Sequence, residues 1–199
     1  TDECIDACES HPEHPVYEKL GNIVERAAQL LNKGNPVAWC QGRMEFGPRA
    51  LGGRSILGSP SYRGIANKIN EQIKFRERWR PFCPSVLDTV AQDMIQTDHP
   101  APYMTITFEV SEEWKSRIPE VVHEDGTSRV QIVEESTNPK YHALLKEMER
   151  LNGNGAVLNT SMNRRGEPMV CSPTDALNMF FGSDLEYLVL EDLLVTKRK

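Results

Sequence analysis

The chain has 199 residues, 39% hydrophobic and 26% charged, with a formal net charge of −6. That is enough apolar content for one soluble domain of ordinary size, and no run approaches the roughly 20 apolar residues of a membrane span. Cys4, Cys8, Cys40, Cys83 and Cys171 are odd in number and scattered, which argues against a secreted disulfide framework. The acidic start Thr1-Asp2-Glu3-Cys4 has no apolar stretch of the signal-peptide kind and no initiating Met, so a cytoplasmic protein, cut or processed at its start, is expected.

Residues 1–15 are acidic, with two prolines and two histidines. They read as a loosely packed linker or tail, with the domain proper over 16–199. Cys4 and Cys8 stand near His11 and His14, but that spacing is too weak a signal for a metal site. From Val16 onward, Tyr17, Leu20, Val24, Ala27 and Leu31 fall at helical spacing, and Gly34 is placed to end the helix. Residues 36–40 read as a buried strand. The next stretch, 42–57, holds three arginines, four glycines and one proline and reads as a loop. Residues 62–73 carry Ile65, Ile69 and Ile73 on one face and predict a helix. Residues 74–84, Lys-Phe-Arg-Glu-Arg-Trp-Arg-Pro-Phe-Cys-Pro, are basic, aromatic and proline-terminated.

Further strands are expected at 84–87, 103–110, 129–133, 155–158 and, as the last, 187–190; further helices at 89–95, 139–151 and 173–181. Strands and helices intermingle without a strict βα repeat, which predicts a single α/β domain with a twisted mixed sheet.

Charge is uneven. Between Arg43 and Arg80 there are nine Lys/Arg against three acids, Glu45, Glu71 and Glu77, so this stretch carries +6 and the remainder −12. A basic segment in an acidic chain points to a local anion site. It does not suggest a surface that coats nucleic acid, since the rest would repel a polyanion.

Four clusters could carry chemistry. In the Gly/Arg stretch, Arg43, Arg49 and Arg54 offer planar forks for phosphate or carboxylate oxygens, and the glycines let backbone N–H groups approach an anion; a solvated loop with surface ion pairs is the plainer alternative. In the segment from Lys74 to Arg80, Phe75 and Trp79 are either a stacking platform among cations or ordinary core aromatics. Asn159-Thr160-Ser161, continuing to Asn163 and Arg165, follows a strand, where ligand contacts gather, although Asn and Ser also make plain turns. His123 to Arg129 contains an Asp125-Gly126 hairpin turn; Arg129 could face a site, and a lone His123 is more often structural. Gly-x-Ser-x-Gly, Walker A and His-Glu-x-x-His motifs are all lacking. A site rich in cations and poor in bases suits phosphoryl or adenylyl chemistry, where positioning and charge stabilisation dominate.

Residues 42–52 with Arg54-Ser55-Ile56-Leu57 closely resemble the C-terminal domain of the NodU/CmcH family of O-carbamoyltransferases. The resemblance continues in family order through Lys68-Ile69-Asn70, residues 74–84, residues 123–130, Asn159-Thr160-Ser161-x-Asn163 and Arg165-Gly166-Glu167-Pro168, and covers residues 36–195. It implies a YrdC/Sua-like fold, a twisted mixed sheet with a basic concave face. It also implies carbamoyl-adenylate formation from carbamoyl phosphate and ATP, with Mg²⁺ screening the pyrophosphate. By motif, the substrate- and nucleotide-binding positions fall on Arg49, Lys74, Arg80, Arg129 and Ser161, with Lys74 and Arg80 catalytic. An N-terminal ATPase-like domain of the same longer chain is implied as partner; it would hold iron and pass the carbamoyl group to an acceptor hydroxyl. The five histidines here do not form its metal motif, so no metal ligand is expected in this sequence. A basic-groove RNA-binding module, or a nucleotide-binding regulatory domain without turnover, remain as other readings.

Overall fold

A computed structural model describes residues 1–198. Its centre is an eight-stranded mixed sheet in the order β1-β10-β9-β2-β3-β8-β4-β7. The strands are β1 (Val16–Lys19), β2 (Val37–Cys40), β3 (Arg54–Gly58), β4 (Cys83–Leu87), β7 (Gln131–Val133), β8 (Ala156–Ser161), β9 (Tyr187–Leu190) and β10 (Leu193–Thr196). β2–β9 and β4–β7 run parallel, and the other pairs run antiparallel. The expected single α/β domain with a mixed sheet is what the chain forms. β2, β3 and β4 are buried along their whole length, the signature of strands covered on both faces.

The helices that cover them start and stop on local signals. α6 (Pro139–Asn152) is capped by Asn138, whose side chain accepts from Tyr141 N; it opens on proline at its first position and ends at Gly153 with φ +77°. α7 (Pro173–Phe181) begins with a reciprocal box between Ser172 and Asp175. α2 (Ile23–Asn32) packs on α6, and α7 packs on β2 and β9. The core between them centres on Trp39, Tyr141, Phe180 and Leu31, all fully buried.

Several expectations are corrected. Residues 1–15 are not loose: α1 (Asp2–Ser10) places Cys4, Ala7 and Cys8 one turn apart, buries them, and packs against α7. His11 stacks on Phe181 at 5.0 Å, with Nε2 3.3 Å from Asn178 Oδ1. The helix expected from Val16 is strand β1, paired with β10; the helical pattern is genuine only from Ile23, after Gly21. Pairing with an available sheet edge overrides helical spacing there. The strand expected over 103–110 shrinks to β5 (Phe108–Glu109), which pairs with β6 (Thr127–Ser128) in a separate two-stranded sheet. Met104 has φ +54°, incompatible with a continuous strand. β3 lies inside the stretch read as a loop, and β10 follows the strand read as the last. The helix expected over 62–73 is α3 (Ile65–Lys68) followed by a π-helical turn, Ile69–Ile73. α4 (Asp88–Ile95) falls where expected, whereas α5 (Glu112–Arg117) was not anticipated.

Candidate functional site

β3, β8 and β4 bring the Gly/Arg stretch, Ser161 and the Lys74–Arg80 segment together. Three adjoining cavities form a groove there. A small one of about 120 Å³ is lined by Arg49, Arg76, Arg129, Asn159 and Ser161 among others. Its neighbour, about 240 Å³, is lined by Lys74, Arg76, Arg80, Ser161, Asn163 and Arg165 among others, so Arg76 and Ser161 belong to both. A third, about 330 Å³ and more apolar, lies between Phe46, Leu51, Tyr103 and Met104 and shares Arg49 and Arg129 with the first. All five expected residues therefore line the groove, split between two cavities: Arg49 and Arg129 on one side, Lys74 and Arg80 on the other, Ser161 between.

Their roles are not equivalent. Lys74 is buried. Its Nζ donates to Ser161 O at 2.9 Å, Asn163 O at 2.8 Å and Asn163 Oδ1 at 2.6 Å, and Ser161 Oγ donates to Asn163 Oδ1 at 2.7 Å. Burial, with Arg76 nearby as the lesser cause, lowers the Lys74 amine from 10.5 to about 7. Lys74 thus clamps the loop that presents Ser161. Arg80 is half exposed at the rim and pairs with Glu77 at 3.4 Å. Arg129 is half-buried; it donates one N–H to Cys83 Sγ at 3.0 Å and leaves Nε without a partner among the described residues. Asn159, 3% exposed, donates to Ala50 O and Ser85 Oγ, but its Oδ1 has no partner among the described residues. An unpaired buried donor and acceptor at one cavity are costly unless something fills it.

Arg76 is unmarked in the sequence, yet it is the cation that joins the Arg49–Arg129 cavity to the Lys74–Arg80 cavity. Its guanidinium lies 4.5 Å from the Phe82 ring centroid, and Nε donates to Asn70 Oδ1 at 2.5 Å. Burial, and secondarily Arg80, lower its pKa. Asn70 is fully buried and also donates to the carbonyls of Arg78 and Arg80 at 3.3 and 3.2 Å. The π-helical turn positions this pair: Lys74 N donates to Ile69 O at 2.9 Å, five residues back, and Phe75 follows with φ +48°. The sequence signal for Asn70 is its place in the Lys68-Ile69-Asn70 match, which assigns it no role.

Two other arginines of the Gly/Arg stretch lie apart from the groove. Arg54 is buried in its own strand, donating to Gln41 O, Gly53 O and twice to Cys171 O at 2.9–3.1 Å. Arg43 lines a different cavity, about 560 Å³, with Glu45, Lys140 and Glu191. The backbone amides are not free for a ligand either: those of Leu51, Gly53 and Arg54 all donate to the chain's own Glu45 Oε1 at 2.7, 2.6 and 3.2 Å. Phe75 and Trp79 are exposed, so neither is core. His123 ring Nδ1 sits 3.2 Å from Thr127 Oγ1 in the hairpin turn and does not line the groove. Among the described residues, no group of three or more His, Cys, Asp or Glu could hold a metal ion, and no helix is long and apolar enough to cross a membrane.

The single domain built on a large mixed sheet has the YrdC-like fold. Full-length HypF, solved in a phosphate- and nucleotide-bound form, superposes over 92% of this chain and 22% of its own at a TM-score of 0.56 and 13% identity. Sua5 of P. abyssi, solved with L-threonine, superposes over 80% and 44% at 0.55 and 17%. These likenesses establish fold alone. The carbamoyltransferase C-terminus family model matches residues 28–197, and the chain belongs to that family. The nodulation protein NolO of Bradyrhizobium diazoefficiens is 37% identical over 188 residues, which are 93% of this chain and 34% of NolO. The chain spans about a third of the length of the curated relatives it matches.

Proposed function

We propose that this domain binds carbamoyl phosphate and ATP in the groove and joins them into carbamoyl-adenylate. One observation carries the reading: Arg49, Arg76, Arg129 and Ser161 converge on one small cavity, and Lys74 and Arg80 open onto the next. Water cleaves carbamoyl phosphate to carbamate and phosphate. A carbamate oxygen then attacks the α-phosphorus of ATP; the bond to the β-phosphate oxygen breaks and pyrophosphate leaves. Such chemistry needs fixed positive charge more than a base. Arg49, Arg76 and Arg129 supply it, Ser161 brings a hydroxyl that donates to a substrate oxygen once it turns away from Asn163 Oδ1, and Arg80 meets the outer phosphates. Phe46 and Tyr103 flank the more apolar cavity, which has the character of a nucleobase site.

Mg²⁺ would arrive on the nucleotide, held mainly by phosphate oxygens, and screen charge on the leaving pyrophosphate. Transfer to an acceptor hydroxyl, and the iron, belong in this reading to an N-terminal ATPase-like domain of the longer protein. Four buried free thiols fit a reducing compartment such as the cytoplasm.

Exchange of labelled pyrophosphate into ATP is the test. Exchange that requires carbamoyl phosphate, falling about 10- to 100-fold in Arg49→Ala or Arg129→Ala, supports the reading. Nucleotide binding without exchange would make the domain a binder. Exposed Trp79 and Phe75 among arginines favour RNA as the second reading, and steeply salt-dependent RNA affinity would revive it.

A further inference from the structure

Glu45 closes the Gly/Arg loop from inside. One carboxylate oxygen, Oε1, collects three backbone N–H groups, those of Leu51, Gly53 and Arg54. That is the arrangement by which a backbone nest holds a phosphate oxygen, here filled by the chain itself. The rest of the loop's C-terminal half is equally tied down. Gly52 N donates to Ser55 Oγ at 3.1 Å, and Gly52 O accepts from Trp39 Nε1 at 3.0 Å. Ala50 O accepts from Asn159 Nδ2 at 3.1 Å, and Leu51 O from Gln131 Nε2 at 3.0 Å. By contrast Phe46, Gly47, Pro48 and Arg49 are exposed. They form the free arc of a ring whose other closure is the Glu45 carboxylate.

We infer that Glu45 is a positioning residue for the groove: its carboxylate closes the ring that carries Arg49. With the ring open, residues 46–50 gain conformational freedom that a bound anion must remove again, and Arg49 binds more weakly for that reason. Among the described residues Glu45 Oε2 has no partner, so only one oxygen of the carboxylate does this work and an amide oxygen can replace it. The inference rests on the groove being an anion site, as proposed above.

The test measures inorganic phosphate affinity of the chain by NMR titration, with melting temperature as a folding control. Glu45→Ala should weaken phosphate binding about 10- to 100-fold, the scale of displacing a positioning group by about 1 Å, and should speed amide exchange at residues 46–50. Glu45→Gln should restore affinity to within about threefold. In an Arg49→Ala background, Glu45→Ala should add little, because the two act through one side chain. Gly53→Ala disturbs the same contact while keeping the carboxylate, since its Cβ would lie 3.1 Å from Glu45 Oε1 and 3.0 Å from Arg43 O; it should lose affinity in the same direction, and decides the matter if Glu45→Ala does not fold.

Tighter phosphate binding in Glu45→Ala would overturn the inference and make the carboxylate a stand-in that phosphate displaces. Full additivity with Arg49→Ala would also overturn it, because Glu45 would then act elsewhere. Unchanged affinity in Arg49→Ala alone, or no phosphate binding by the unaltered chain, overturns the groove reading itself and this inference with it.

Discussion

The Gly/Arg loop and the Lys74–Arg80 segment are alike in composition and opposite in construction. Both are short, basic and flank the same groove. In the first, Arg54 serves the backbone, Glu45 occupies the amides, and Arg49 reaches the groove from a ring fastened to β3, β7 and β8. In the second, order rests on one buried amide, Asn70, and on the clamp from Lys74 to Ser161 and Asn163. Arg78 and Arg80 stay at the surface, paired with Glu71 and Glu77. Burial and pairing, not the presence of charge, decide which cations can meet a ligand.

The comparison breaks first at Arg54. Replacing it with Ala leaves the carbonyls of Gln41 and Cys171 without their donor in the interior, while Gly53 O keeps Gln41 N at 2.9 Å, and should cost about 3–5 kcal/mol, read by chemical denaturation. A loss under about 1 kcal/mol would show that Arg54 is as dispensable as a surface arginine. Asn70→Ala comes next. It removes three hydrogen bonds and should cost about 2–3 kcal/mol, while making residues 74–80 sensitive to protease; an unaltered cleavage pattern would mean the segment is held by something else.

Lys74 sharpens the comparison through pH. Its folded-state value of about 7 lies below the ordinary 10.5, so between those limits the unfolded chain binds more protons, and stability rises with pH by at most about 1.4 kcal/mol per unit. Above pH 9 the slope should reverse. Burial raises Cys8 to about 11 and Cys40 to about 12, so the unfolded thiols ionise first. Lys74→Met should flatten the rise between pH 7 and 9 and leave the alkaline fall in place; a rise that persists in Lys74→Met would assign it to other groups. The smallest effect on stability belongs to Arg80→Ala, expected within about 0.5 kcal/mol, with a clear loss of phosphate affinity. A large fall in melting temperature there would place Arg80 among the structural arginines instead.

The legible part of the site was its neighbourhood. Arg49, Arg129 and Ser161 share a cavity, as do Lys74, Arg80 and Ser161, and motif order and charge density both pointed to these segments. What could not be read was division of labour. Arg76 and Arg78 look alike in sequence, yet a π-helical turn and one Asn aim the first into the groove. Glu45 looked like a stray acid in a basic stretch, and only the loop's closure shows that it holds three amides.

The sequence alone determined the mixed α/β class, through apolar runs of strand length set among amphipathic segments, and it determined the helix ends at Asn138, Gly153 and Ser172, where a single residue satisfies a local backbone need. Tertiary structure decided the rest. Val16–Lys19 became a strand because β10 offered an edge, residues 2–10 became a packed helix because α7 offered a surface, and the arginines divided into structural and free ones. Those outcomes depend on partners far away in the chain, whose contact energies exceed the small local preferences that sequence spacing records.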